Sequence, residues 1–385
     1  MSDDRLPIVN PQQETFMSWP QQVHLTAVTL LKHFGIGTVL ILAAAAILLI
    51  SDPRRNQAAK SSTVPKKIAV INYASVPVLD EGEAGLMAGL EEAGLVDGKN
   101  VALKRYNAEG DRATAILIAK EVVSSDVDAV ITLSTPVLQA VANANAESRK
   151  THIFTLTTDP WGAEVGVRSE NHADHPPYMT GHGTLQPVAS LFRLAREANP
   201  QLKKVGVVWN PSESNSESST KLAREVCTQL EIELIEVTVD SSSAVLDATK
   251  ALLGREVEAI WAGGDSTVGA AIDTMISTAR EAGVPVFTNM PVNVKQGALF
   301  SLGADYFTVG KASGLLAARV IRGESPAGIP VDNFAPENLA LNKVSQELFK
   351  SKWLIGSDWE QRATLVVDGQ GIRAAAQKPV NDSRK

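Results

Sequence analysis

From residue 67 to 334, short apolar runs alternate with longer segments whose apolar residues recur at helical spacing. The runs at 68–73, 101–106, 129–134 and 153–157 are bounded by polar residues and read as buried strands. Between them, 81–93 carries Leu86, Leu90 and Ala93 on one face, with Gly94 suited to end a helix. Segments 112–124 and 136–145 read as helices too. The pattern then starts again. Helices are predicted over 185–198, 218–230, 244–253, 268–282 and 307–321. Strands are predicted at 205–209, 234–239, 259–262, 284–288 and 331–334, with 298–302 a further candidate. This alternation predicts an α/β protein with mostly parallel sheets covered on both faces.

The two series echo each other. Asp128-Ala129-Val130-Ile131 leads into Ser134-Thr135-Pro136-Val137, as Glu258-Ala259-Ile260-Trp261 leads into Asp265-Ser266-Thr267-Val268. Two facing lobes of one architecture would produce this echo, and so would the general likeness of α/β chains.

One segment breaks the pattern. Residues 34–50 (FGIGTVLILAAAAILLI) carry no charge. As a helix they would span about 26 Å, close to the roughly 30 Å hydrocarbon layer. Ala43–Ala46 lie inside the run, where a signal peptidase site would follow it, so an uncleaved anchor is favoured over a cleaved signal. No cysteine follows the run, which excludes lipid attachment there. Residues 51–65 read as a polar linker.

Composition narrows the function. The 385 residues carry a formal net charge of -7, which disfavours a nucleic-acid partner. A single cysteine, Cys227, excludes an intrachain disulfide framework and cysteine-cluster metal sites. GxGxxG after the first strand, GxxxxGK[ST], GxSxG and HExxH are all missing, so no enzymatic activity and no cofactor are expected. His172, His175 and His182 fall in a Pro/Gly-rich stretch read as a surface or cleft loop, with no metal expected.

Ligands of open α/β sheets sit beyond the carboxyl ends of the strands. Those ends carry Tyr73, Ala74, Ser75, Ser134, Thr135, Asp159, Trp161, Asn210, Asp265 and Asn289. Helix starts after Thr135 and Asn215-Ser216 can hold a carboxylate through free N–H groups. Asp159 or Asp265 can hold an ammonium. The set suits a small zwitterion. Trp209 and Trp261 read as core, and Tyr306 as either cleft rim or packing.

Several segments together carry a resemblance. They are NYASVPVLDEGEAGLMAGLEEAG, YNAEGD, ITLSTPVLQA, FTLTTDPWGAEVG, VGVVWNPSESNS, AIWAGGDSTV, PVF, GALFSLGADYFTVG and ALN. In this order and spacing, over about residues 67–352, the chain resembles the ABC transporter substrate-binding proteins of the tryptophan/tyrosine type, which have the periplasmic-binding-protein type I fold. The resemblance implies two doubly wound parallel-sheet lobes joined by three crossovers and closing at a hinge. It implies lobe 1 at 66–180, lobe 2 at 181–296, returns at 297–325 and 326–353, and an extension at 354–385, all preceded by the membrane segment. It also implies an extracytoplasmic binding protein, monomeric in its lobes, that delivers an amino acid or related compound to an ABC permease. A membrane-tethered sensor of the same fold is the alternative.

Carried over by motif, the implied ligand residues are Tyr73, Ala74, Ser75, Ser134, Thr135, Asp159, Asn210, Glu213, Asn215, Ser216, Asp265 and Thr267. The chain departs from the family at Asn72-Tyr73, Val76-Pro77, Trp161, the His/Pro stretch and Asp265-Ser266. The excess of Arg54, Arg55, Lys60, Lys66 and Lys67 after the apolar run would place the body in the cytoplasm by the positive-inside rule. The resemblance places it outside, and that placement is preferred.

Overall fold

The computed structural model describes residues 65–168 and 173–374. The apolar run at 34–50 and His172 lie outside them. Among the described residues, no helix is long and apolar enough to cross a membrane.

Two sheets organise the body. The first contains β1 (Lys66–Asn72), β2 (Val101–Asn107), β3 (Ala129–Leu133), β4 (Thr151–Thr157), β5 (Met179–Gly183) and β11 (Asp332–Asn333). Their order is β2-β1-β3-β4-β5-β11, and every pairing is parallel. The second contains β6 (Lys204–Trp209), β7 (Glu233–Thr238), β8 (Ala259–Ala262), β9 (Val286–Thr288), β10 (Phe300–Ala304), β12 (Glu337–Asn342), β13 (Leu365–Asp368) and β14 (Gly371–Ala374). Its order is β7-β6-β8-β9-β10-β12-β13-β14. Pairing is parallel from β7 to β10, and β12 runs antiparallel to β10. The echoed segments occupy equivalent places: β3 beside β1, and β8 beside β6. Both strands are buried along their whole length, as strands covered by helices must be.

Helices α1 (Pro77–Glu92), α2 (Arg112–Ser124) and α3 (Thr135–Ala144) follow strands of the first sheet. Helices α4 (Val188–Ala198), α5 (Ser214–Gln229), α6 (Val245–Leu253), α7 (Ser266–Gly269) and α8 (Ile272–Glu281) belong to the second. The structure starts α1 four residues earlier than the apolar spacing does. Pro77 at its first position, where a missing N–H costs nothing, explains the early start.

The chain passes between the lobes at 184–187, 304–306 and 334–337. Hydrogen bonds tie these crossings together. Gln186 Oε1 accepts from Ala304 N at 2.9 Å, and its Nε2 donates to the Tyr306 hydroxyl at 3.1 Å. Leu185 N donates to Asn333 Oδ1 at 2.6 Å, and Asp305 N donates to Pro336 O at 2.9 Å.

The crossings fall later than expected. Residues 300–304 belong to the second lobe because Phe300 stacks on Phe287 at 5.5 Å within its core. Residues 331–333 belong to the first because Val331 is buried beside Leu138 and Phe154. Residues 179–183, expected as loop, form the buried strand β5. Gly181 there sits against the Phe154 ring and carbonyl, leaving no room for a side chain. His175 is buried with Nε2 2.9 Å from Ile329 O, and His182 lies beside Phe334. Among the described residues no group of three potential metal ligands comes together.

The C-terminal segment is not peripheral. It supplies α10 (Lys343–Phe349), α11 (Ser357–Arg362) and the β13–β14 hairpin. Trp353 and Trp359 are fully buried, and Trp359 meets Phe300 edge to face at 5.3 Å.

The helix after the second crossing, α9 (Tyr306–Ile321), returns to pack on α1 through glycines. A methyl group on Gly310 would overlap the Gly82 carbonyl, and one on Gly85 would overlap the Phe307 carbonyl. Alanine at an exposed helical position is about 1 kcal/mol better than glycine. Here the obstacle is backbone, which cannot rotate away. Gly310→Ala is therefore expected to destabilise by about 1–3 kcal/mol, the usual cost of overpacking, measured by denaturant unfolding.

Candidate ligand-binding site

The carboxyl ends of both sheets face one cavity between the lobes, partly open to solvent. The first lobe contributes Val76–Leu79 at the start of α1, Ser134 and Thr135 at the start of α3, and Leu156 and Thr158 at the end of β4. The second contributes Asn215, residues 262–266, Val268, Ile272, Met290 and Asn293. Tyr306 closes it from the hinge.

Two of the lining residues hold strained backbones. Ser134 has φ 93 and ψ 160, a conformation that is nearly restricted to glycine. Leu156 has φ 53 inside β4, where the register to β5 shifts between Phe154 and Thr157. Both sit where a strand ends at the cavity. Strain of this kind persists only where surrounding structure enforces it.

The polar groups divide by lobe. On the first lobe, Ser134 Oγ and Thr135 Oγ1 are buried and have no hydrogen-bond partner in the protein. They stand at the N-terminus of α3, where backbone N–H groups carry partial positive charge. On the second lobe the acceptors are almost fully used. Glu213 accepts from Ser266 N and Thr267 N at 2.9 Å, Thr267 Oγ1 at 2.6 Å and Asn215 Nδ2 at 2.9 Å. Asp265 accepts from Asn210 N and Val268 N at 2.7 Å and from Ser216 Oγ at 2.5 Å. Asn215 Nδ2 also donates to Gly264 O at 2.6 Å, and its buried Oδ1 has no partner.

Among the described residues, no lysine, arginine or histidine lines this cavity. Burial first, and then the neighbouring Glu213 carboxylate, hold the Asp265 carboxyl well above its ordinary range. Val76, Val78, Leu79, Leu156, Val268, Ile272 and Met290 make the remaining wall apolar.

The fourteen residues expected from sequence thus fall into three groups. Ser134, Thr135, Asn215 and Asp265 line the cavity. Tyr73, Asn210, Glu213 and Thr267 line a neighbouring recess between the lobes, together with Arg112. The Tyr73 hydroxyl donates to Gly110 O at 2.8 Å; burial, then the Glu213 and Asp111 carboxylates, push its phenol up to about 12.

The remaining six line neither space. Ala74 is buried beside Gly110, and Ser75 is exposed, accepting from Asn107 Nδ2 at 2.8 Å. Ser216 serves Asp265. Trp161 packs on a small cluster with Phe154 and Val167. Asn289 is wholly buried, bonded to Trp261 Nε1 at 2.9 Å and Leu302 O at 2.8 Å. Asp159 spends its oxygens on Gly162 N at 2.9 Å and Ser218 Oγ at 2.8 Å. Sequence reasoning missed the apolar wall at Val76–Leu79, and Pro77 as a helix start was the available signal.

Comparison with known proteins identifies the family. The family model described as ABC transporter substrate binding protein matches residues 67–350. A curated tyrosine-binding protein from Clostridioides difficile is 28% identical over 278 residues, covering 72% of this chain and 79% of that protein. The crystal structure of a conserved domain protein from Vibrio cholerae superposes with TM-score 0.73 at 33% identity, covering 79% of this chain and all of the other. The structure of an ABC domain in complex with L-Trp from Streptococcus pneumonia gives the same TM-score at 25% identity, with the same coverage. The family match spans most of a two-lobed body built around one cavity, and the chain belongs to the ABC transporter substrate-binding proteins that its motifs resemble.

Proposed function

We propose that this chain is the extracytoplasmic binding component of an ABC importer, holding an amino acid with an apolar side chain in the interlobe cavity. The observation that carries this reading is the set of buried polar atoms without protein partners, Ser134 Oγ, Thr135 Oγ1 and Asn215 Oδ1, lining one space. Buried polar groups are almost always hydrogen-bonded, so groups that the protein leaves unpaired at a cavity are open to a ligand or to water. The ligand carboxylate lies at the start of α3 against the two hydroxyls and the helix N–H groups. The ammonium lies against Asp265 and Asn215 Oδ1. The side chain lies on the aliphatic wall, as apolar ligand portions do in pockets of this kind. The relatives named for tyrosine binding and solved with L-Trp support the amino-acid class.

Residues 34–50 tether the protein to the membrane, and an ABC permease receives the ligand. A cysteine placed at Ser62 and probed with a membrane-impermeant maleimide in spheroplasts is expected to label before lysis; labelling only after lysis would put the lobes inside.

Titration calorimetry with L-tryptophan, L-tyrosine and L-leucine tests the ligand class, and silence across all three sinks it. The pH dependence has a definite sign. Because the folded Asp265 pKa is raised, this group is protonated on the acid side of neutrality and cannot face an ammonium as an anion. Binding is expected to tighten as pH rises through neutrality, by at most about tenfold per unit, with one proton released. Asp265→Asn is expected to flatten that profile.

Ser134→Gly separates strain from binding. Glycine relieves a backbone conformation that costs about 1–3 kcal/mol. The variant is expected to melt higher than the parent while binding more weakly, because it lacks the hydroxyl.

A further inference from the structure

Asp159 is close to the cavity without lining it, and its hydrogen bonds give it another task. Oδ1 accepts from Gly162 N within its own turn, at 2.9 Å. Oδ2 accepts from Ser218 Oγ at 2.8 Å, and Ser218 lies on α5 of the opposite lobe. This bond spans the cleft.

The turn that carries Asp159 is braced from behind. Pro160 and Trp161 pack onto Gly183 of β5, where a Cβ would lie 3.0 Å from one and 3.1 Å from the other. Ala163 O accepts from Gln139 Nε2 on α3 at 3.0 Å. Gly162 leaves the approach open: a Cβ there would stand 2.5 Å from Asp159 Oδ2 and 3.4 Å from Ser218 Oγ. The carboxylate is therefore held in place before its partner arrives, so little side-chain freedom is lost when the bond forms. A second bond also spans the lobes, from Arg112 Nη1 to Ser212 O at 3.2 Å.

We propose that Asp159 and Ser218 form a latch between the lobes. Their bond exists only when the lobes are together and touches nothing in the cavity, so it favours the closed form by one factor whatever the ligand. An apparent affinity scales with the closed population, so the latch sets the strength of binding without setting its selectivity. The inference does not rest on the ligand being an amino acid.

Ser218→Ala is the clean test, because it leaves the Asp159 turn intact and alanine is the better helix former. Spin-label distances between the lobes of the ligand-free protein are expected to show a smaller closed share. The Kd values for L-tryptophan, L-tyrosine and L-leucine are expected to rise by one common factor, about three- to tenfold, the range for one hydrogen bond of ordinary net strength. In an Asp159→Ala background, Ser218→Ala is expected to add nothing. A factor that differs between amino acids would mean contact with the ligand and would overturn the latch. Additive effects in the double variant, or an unchanged closed share, would overturn it too. If none of the three amino acids binds, the amino-acid reading fails alone and the distance measurement still decides the latch.

Discussion

Four backbone amides, those of Asn210, Ser266, Thr267 and Val268, point at the carboxylate oxygens of Glu213 and Asp265. The cleft depends on this. Strand ends and helix starts in a parallel sheet leave N–H groups that must be satisfied, and here two buried acids satisfy them. The second lobe therefore presents a rigid, acidic surface whose acceptors are nearly used up. The first lobe does the opposite. At the start of α3 it offers hydroxyls and helix N–H groups, and among the described residues no carboxylate lines the cavity on that side. One wall carries a buried acid whose acceptors are nearly used, and the other offers unpaired hydroxyls and the positive end of a helix dipole. A molecule with charge at both ends suits that asymmetry in one orientation.

Much of the fold was legible because burial leaves a strong sequence trace. Runs such as 129–133 and 259–262 are buried on both sides and read as strands without help. What failed was of another kind. The second crossing lies later than the sequence suggests because Phe300 looks like any apolar residue, and only its stack on Phe287 assigns it to a lobe. The strand at 179–183 was lost because Met-Thr-Gly-His-Gly has no apolar run; tight contact with Phe154 selects its central glycine. The C-terminal tryptophans lay beyond the resemblance, and their role rests on partners far away in sequence.

The site shows the same division. Ser134, Thr135, Asn215 and Asp265 could be named because strand ends and helix starts fix where such residues stand. Direction was not legible. Asn289, Asp159 and Trp161 stand at strand ends too, yet their side chains turn to a core indole, a serine across the cleft and a hydrophobic cluster. Polar residues at one edge share an address and differ in aim, and aim is set by neighbours that the local sequence does not contain.

The seam between α1 and α9 bears on how such a molecule can bend. Helices whose backbones touch through glycines have no layer of side chains between them to yield. Helix α9 begins at the second crossing, so that crossing is welded to the first lobe on one side, while Phe300 and Leu302 root it in the second on the other. Any rotation of the lobes has to be taken up by the few residues between these two fixed points and by their counterparts in the other two crossings. Bending is thereby confined to three short stretches of chain.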